Sequence, residues 1–109
     1  MKRYALTLDL KDDPQLIEQY IEHHENVWPE IIASIKGSGI RHMEIYQVAT
    51  RLFMMIEAEE SFSFEAKGRL DAGNLKVQEW ERLMDQYQQR LPFAQWGEKW
   101  VLMDKIFQL

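Results

Sequence analysis

Tyr20 and His24 stand four positions apart in the segment Gln19-Tyr20-Ile21-Glu22-His23-His24-Glu25-Asn26-Val27-Trp28-Pro29-Glu30. On a helix, that spacing sets a phenol and an imidazole one turn apart on the same face. Leu16 and Ile17 fall on or beside that face, so this imidazole edges a core. His23 turns about 100° away with Gln19, towards solvent. An imidazole suits proton transfer because its ordinary pKa, about 6.5, keeps both protonation states accessible near neutrality. Trp28 and, farther along, Trp80 bring flat apolar faces of the kind that pack on the C–H surface of a pyranose. Spacing alone makes Tyr20, Trp28 and Trp80 core or interface aromatics first. The chemistry they offer with His24 is proton transfer on a neutral, partly apolar ligand.

Other chemistries lack their residues. The chain has no cysteine, which removes disulfides, thiol nucleophiles and thiolate metal sites. No serine sits in a glycine-flanked nucleophile elbow. Gly37-Ser38-Gly39 is too short to cradle a phosphate and reads as a helix stop. His23, His24 and His42 form no His-x-x-x-His pair, and adjacent helical histidines face apart, so no metal site is expected. A net charge of −5, with lysines and arginines scattered singly apart from Lys2-Arg3, speaks against nucleic-acid or anionic-membrane partners. No apolar run approaches the ~18 residues of a membrane span. Thr7 and Asp9 interrupt the apolar N-terminal stretch that a signal peptide needs. These features together fit a cytoplasmic protein, and residues 1–109 read as a single domain.

The elements that must position these side chains follow from period and punctuation. Residues 3–10 alternate, with Tyr4, Leu6, Leu8 and Leu10 on one face, as a strand does. Asp13-Pro14 caps and starts a helix that runs to about Glu25. Trp28-Pro29-Glu30 breaks it and begins another, with Ile31, Ile32 and Ile35 as its apolar stripe. Residues 40–48 and 51–58 read as a hairpin around Ala49-Thr50. A short helix is expected around 64–70. Val77, Trp80, Leu83, Met84 and Tyr87 predict an amphipathic helix over 75–90. Residues 98–109 read as a long closing strand.

The order β-α-β-β-α-β predicts an α+β, ferredoxin-like sandwich: a four-stranded antiparallel sheet with helices on one face. Phe53 and Met55 make the other face of the third strand partly apolar as well. A second copy of the sheet is the usual cover, so a homodimer, a dimeric α+β barrel, is expected.

The string Tyr20…His24-x-x-x-Trp28-Pro29-Glu30, with Ile45-Tyr46, Phe53-Met54-Met55-Ile56-Glu57 and Gln78-Glu79-Trp80, resembles the L-rhamnose mutarotase family over nearly the whole chain. The resemblance implies a dimeric, cofactor-free enzyme that interconverts the α and β anomers of a 6-deoxy-hexose monosaccharide. By position, His24 resembles the family's proton donor, and Tyr20 and Trp80, with Trp28 beside them, its substrate-binding aromatics. Two positions depart from the pattern: Met43 stands where a tyrosine is usual, and Glu81 where a second tryptophan is usual. The stretches Lys2-x-Tyr4-x-Leu6-Thr7-Leu8-Asp9-Leu10 and Glu98-Lys99-Trp100-Val101-Leu102-Met103 are similar to relatives assigned to L-fucose. L-Rhamnose is the first expectation, with L-fucose open beside it.

Anomer exchange needs a proton on the ring oxygen and one off the anomeric hydroxyl. The expected donor is His24; the base partner is open among Glu44, Glu57 and a bound water. Two other classes share the expected fold: a small dimeric α+β barrel oxygenase or haem-binding protein, and a non-catalytic dimeric binding module. Fold analogy alone supports the first.

Overall fold

The alternation at the N-terminus becomes strand β1, Lys2–Leu10, in the computed structural model, which describes residues 1–109. Asp13 then starts α1 (Pro14–His23): its carboxylate accepts from the backbone N–H groups of Gln15 at 2.9 Å and Leu16 at 3.3 Å. Pro29 opens α2 (Pro29–Gly37), which is followed by Gly39 at φ 100°, a left-handed conformation that favours glycine. The hairpin is β2 (Ile40–Val48) and β3 (Arg51–Ala58). Ser63 caps α3 (Phe64–Ala72), and Asn74 caps α4 (Leu75–Asp85). Two short strands follow, β4 (Gln88–Gln89) and β5 (Val101–Leu102).

All pairings are antiparallel, in the order β2-β3-β1-β4, with β5 also on β1. This is the expected α+β, ferredoxin-like topology with one modification. β4 sets Gln88 and Gln89 opposite Leu10 and Asp9, whereas β5 sets Val101 and Leu102 opposite Thr7 and Leu6. The two pieces therefore lie end to end along one edge of β1, as a fourth strand interrupted by residues 90–100.

Two boundaries differ from the sequence reading. The helix expected over 75–90 ends at Asp85, because the Tyr87 N–H bonds back to Met84 at 2.9 Å and the chain turns into the sheet. Tyr87 keeps its apolar spacing and is still buried, which is why the helical period ran on past the helix. The closing strand expected over 98–109 is confined to Val101–Leu102, with one further bond from the Met103 N–H to the Ala5 carbonyl at 2.8 Å. Beyond it Ile106, Phe107 and Leu109 are exposed.

The helices cover the sheet face that carries Leu6, Leu8, Leu10, Leu52, Ile56 and Ala58. One buried cluster joins Leu10 and Leu52 to Tyr20, Ile31, Val77, Trp80, Met84 and Tyr87. A second joins Leu6, Ile56 and Ala58 to Ile40 and Phe62. Alternation sends Phe53, Met55 and Tyr46 to the opposite face. There Tyr46 is 55% exposed, against Leu8 at 0%.

The hairpin turn holds a local strain. Ala49 sits at φ 50°, where an L side chain crowds its own backbone. Ala49→Gly is expected to raise stability by about 0.5–1 kcal/mol, because glycine adopts that conformation without the Cβ penalty. A lower urea midpoint for the variant would contradict this.

Candidate active site

The C-terminus of α1 presents the histidine pair. His24 is the C-cap residue, and its Nδ1 lies 2.8 Å from the Tyr20 carbonyl oxygen. A carbonyl only accepts, so Nδ1 carries the proton of the neutral ring and Nε2 keeps its lone pair. The same turn stacks the rings: Tyr20 and His24 have centroids 4.4 Å apart. From across the core, α4 brings the Trp80 ring edge-on to His24, at 5.7 Å. The sequence neighbours thus meet a residue far along the chain.

These side chains line a groove of about 900 Å³ between the helices and the sheet, within the range of small-molecule sites. Met43, Ile45 and Met54 line it from the sheet, with Glu81, Gln88 and Trp100 on other walls. Trp28 is not among the lining residues. It packs edge-on against Trp80 with centroids 5.1 Å apart, so it stands behind that ring.

Burial shapes the protonation states. Burial, outweighing the Tyr20 carbonyl bond, holds the His24 imidazole below its ordinary pKa, and neighbouring His23 adds to the effect. The resting ring is therefore neutral at neutral pH. Burial also pushes the Tyr20 phenol up to about 12, with Gln88 opposing and the Glu81 charge reinforcing. Tyr20 stays protonated and hydrogen-bonds; its hydroxyl accepts from Gln88 Nε2 at 3.3 Å.

Three residues sit differently from their sequence-level placement. His23 was expected in open solvent, yet it is half-buried with Nε2 3.0 Å from the Tyr87 hydroxyl. Glu44 and Glu57, named as possible bases, pair with Tyr46 and Arg3 respectively and do not line the groove. The histidines, aspartates and glutamates nowhere gather in a group of three that would hold a metal ion.

Gln88 lines the groove although no spacing pointed to it, and so do Lys99 and Trp100, which the sequence marks only through the stretch similar to the L-fucose relatives.

Comparison with known proteins is consistent with this geometry. The family model for L-rhamnose mutarotase matches residues 3–109. An L-fucose mutarotase of Xanthomonas campestris pv. campestris is 41% identical, covering 100% of this chain and 89% of its own. An L-rhamnose mutarotase of Bacillus subtilis is 31% identical, covering 77% of each chain. The crystal structure of an L-rhamnose mutarotase from Formosa agariphila superposes with a TM-score of 0.74, covering 100% of this chain and 99% of its own. At 20% identity that last likeness speaks for the fold. None of these findings favours the oxygenase, haem-binding or non-catalytic readings. The chain belongs to the L-rhamnose mutarotase family and is, with it, an anomer-interconverting isomerase.

Proposed function

We propose that this protein exchanges the α and β anomers of a 6-deoxy-hexose without a cofactor, preferring L-fucose to L-rhamnose, and that His24 carries the proton. The observation that carries the reading is the His24 ring. Its Nδ1–H is held by the Tyr20 carbonyl, and Nε2 has no protein partner beside a groove walled by Trp80. The preference for L-fucose rests on the 41% identity, along the whole chain, to a relative named an L-fucose mutarotase.

The proton traffic follows from a neutral ring. Nε2 takes the anomeric hydroxyl proton as the C1–O5 bond breaks and C1 becomes an aldehyde carbon. The electron pair leaves on O5, and the imidazolium now formed returns its proton there. His24 is thus the donor of the second half-step, and no separate carboxylate base is needed. Rotation about C1–C2 exposes the other aldehyde face, and the same steps in reverse close the ring. Tyr20 orients the imidazole through its carbonyl, Tyr20 and Trp80 contact the sugar, and Trp28 braces Trp80.

The sign of the pH dependence follows. A ring whose pKa lies below the ordinary value stays an acceptor to lower pH than free imidazole. Enzyme-dependent exchange should hold steady about neutrality and decline only as pH falls through the depressed His24 pKa. Polarimetry on freshly dissolved α-anomer, corrected for the buffer rate at each pH, measures this. A corrected rate that climbs as pH drops from neutrality would overturn the neutral-ring order of steps.

The open sheet face bearing Tyr46, Phe53 and Met55 supports a homodimer formed by two such sheets. Light scattering should return twice the 13.1 kDa chain mass, and a stable monomer at micromolar concentration would refute it.

A further inference from the structure

The α4 wall of the groove carries a charged clamp that proton exchange at C1 does not use. Trp80, Glu81 and Met84 follow one another along the groove side of α4, and Gln88 at the start of β4 continues the line. Among them Glu81 is the one carboxylate. Lys99, just before β5, reaches across so that its ammonium lies 2.5 Å from Glu81 Oε2 and 2.8 Å from Asp85 Oδ1. The lysine is largely buried, with its side chain 15% exposed, whereas that of Glu81 is 46% exposed. The clamp fixes a long, flexible carboxylate in one position and leaves its other oxygen, Oε1, without a protein partner.

We infer that Glu81, held by Lys99, accepts a hydrogen bond from a sugar hydroxyl away from C1 and so sets which 6-deoxy-hexose the groove takes. An ionised carboxylate only accepts, so its natural ligand is a donor, and hydroxyls are the donors a sugar has. Bonds to a charged acceptor are stronger than neutral ones, and a preplaced acceptor loses little freedom on binding. L-Fucose and L-rhamnose differ in configuration at C2 and C4. A fixed acceptor placed for the C2 or C4 hydroxyl of one sugar therefore meets a C–H of the other and loses that bond.

This inference rests on the anomer-exchange reading, and the test separates the two. Exchange rates and KM on L-fucose and L-rhamnose are measured side by side for the unmodified protein, Glu81→Ala, Glu81→Gln and Lys99→Met. Exchange on neither sugar by the unmodified protein would defeat the functional reading itself. Given exchange, Glu81→Ala should cut kcat/KM on the preferred sugar by about 10- to 100-fold, mainly through KM. The other sugar should change by less than about threefold, so the preference collapses. Lys99→Met, which frees Glu81 without removing it, should move the preference the same way by a smaller factor. Glu81→Gln keeps shape and volume at a partly exposed position, so it carries the test if the alanine variant fails to fold. An unchanged fucose-to-rhamnose ratio in the glutamine variant, or equal losses on both sugars, would overturn the assignment.

Discussion

His24→Ala should slow enzyme-dependent anomer exchange by about 10²- to 10⁴-fold, the usual worth of a positioned acid–base group, while the protein still folds. The imidazole is only partly buried and makes one side-chain bond, to the Tyr20 carbonyl. Losing that bond costs stability about 1 kcal/mol. His23→Ala is the matched control. It loses the bond between Nε2 and the Tyr87 hydroxyl, a similar stability cost, yet that ring is no part of the proton path. Exchange should be nearly unchanged. Equal activity losses in the two variants, at equal stability, would remove His24 from the mechanism.

Trp80→Ala should cost about 3–5 kcal/mol of folding stability, a large share of the ~5–15 kcal/mol typical of a whole domain. Trp80 is 7% exposed and belongs to the main buried cluster with Tyr20, Ile31, Val77 and Met84. Its removal leaves a cavity between α4 and the Trp28 ring, which packs edge-on against it. The same ring walls the groove beside His24, so stability and activity fall together in the alanine variant. Trp80→Phe separates them. It keeps an aromatic in the cluster, destabilises less, and alters the wall a sugar would meet. Urea unfolding measures the first effect, and KM on the preferred sugar the second. A loss below about 1 kcal/mol in Trp80→Ala would show that the ring is dispensable to the core.

Much of this arrangement could be read from local chemistry. The Asp13-Pro14 start, the Trp28-Pro29 break, the glycine stop at Gly39 and the alternation of Leu6, Leu8 and Leu10 act within a few residues. The structure keeps all of them. The closing edge was not legible for a physical reason. The apolar runs Trp100–Met103 and Ile106-Phe107 suit an extended chain, but pairing depends on which edge is free, and β1 gives Val101 and Leu102 their partners. Tyr87 misled in the opposite direction, since a buried side chain keeps its period whether or not its backbone is helical.

At the site, Tyr20 and His24 were visible because one helical turn joins them. The Tyr87 hydroxyl that holds His23 and the Lys99 ammonium that clamps Glu81 come from distant segments. No local spacing announces either. The position of Glu81 was noticed through resemblance, and its clamp only in three dimensions.

Saturation-transfer NMR on L-fucose and L-rhamnose, with and without the unmodified protein, tests the central claim most directly. Irradiating one anomeric proton should bleach the other when protein is present, more strongly for L-fucose, and leave it untouched in buffer alone. If neither sugar shows protein-dependent transfer at any enzyme concentration that keeps the spectrum resolved, the protein does not exchange the anomers of these sugars and the proposed function is wrong.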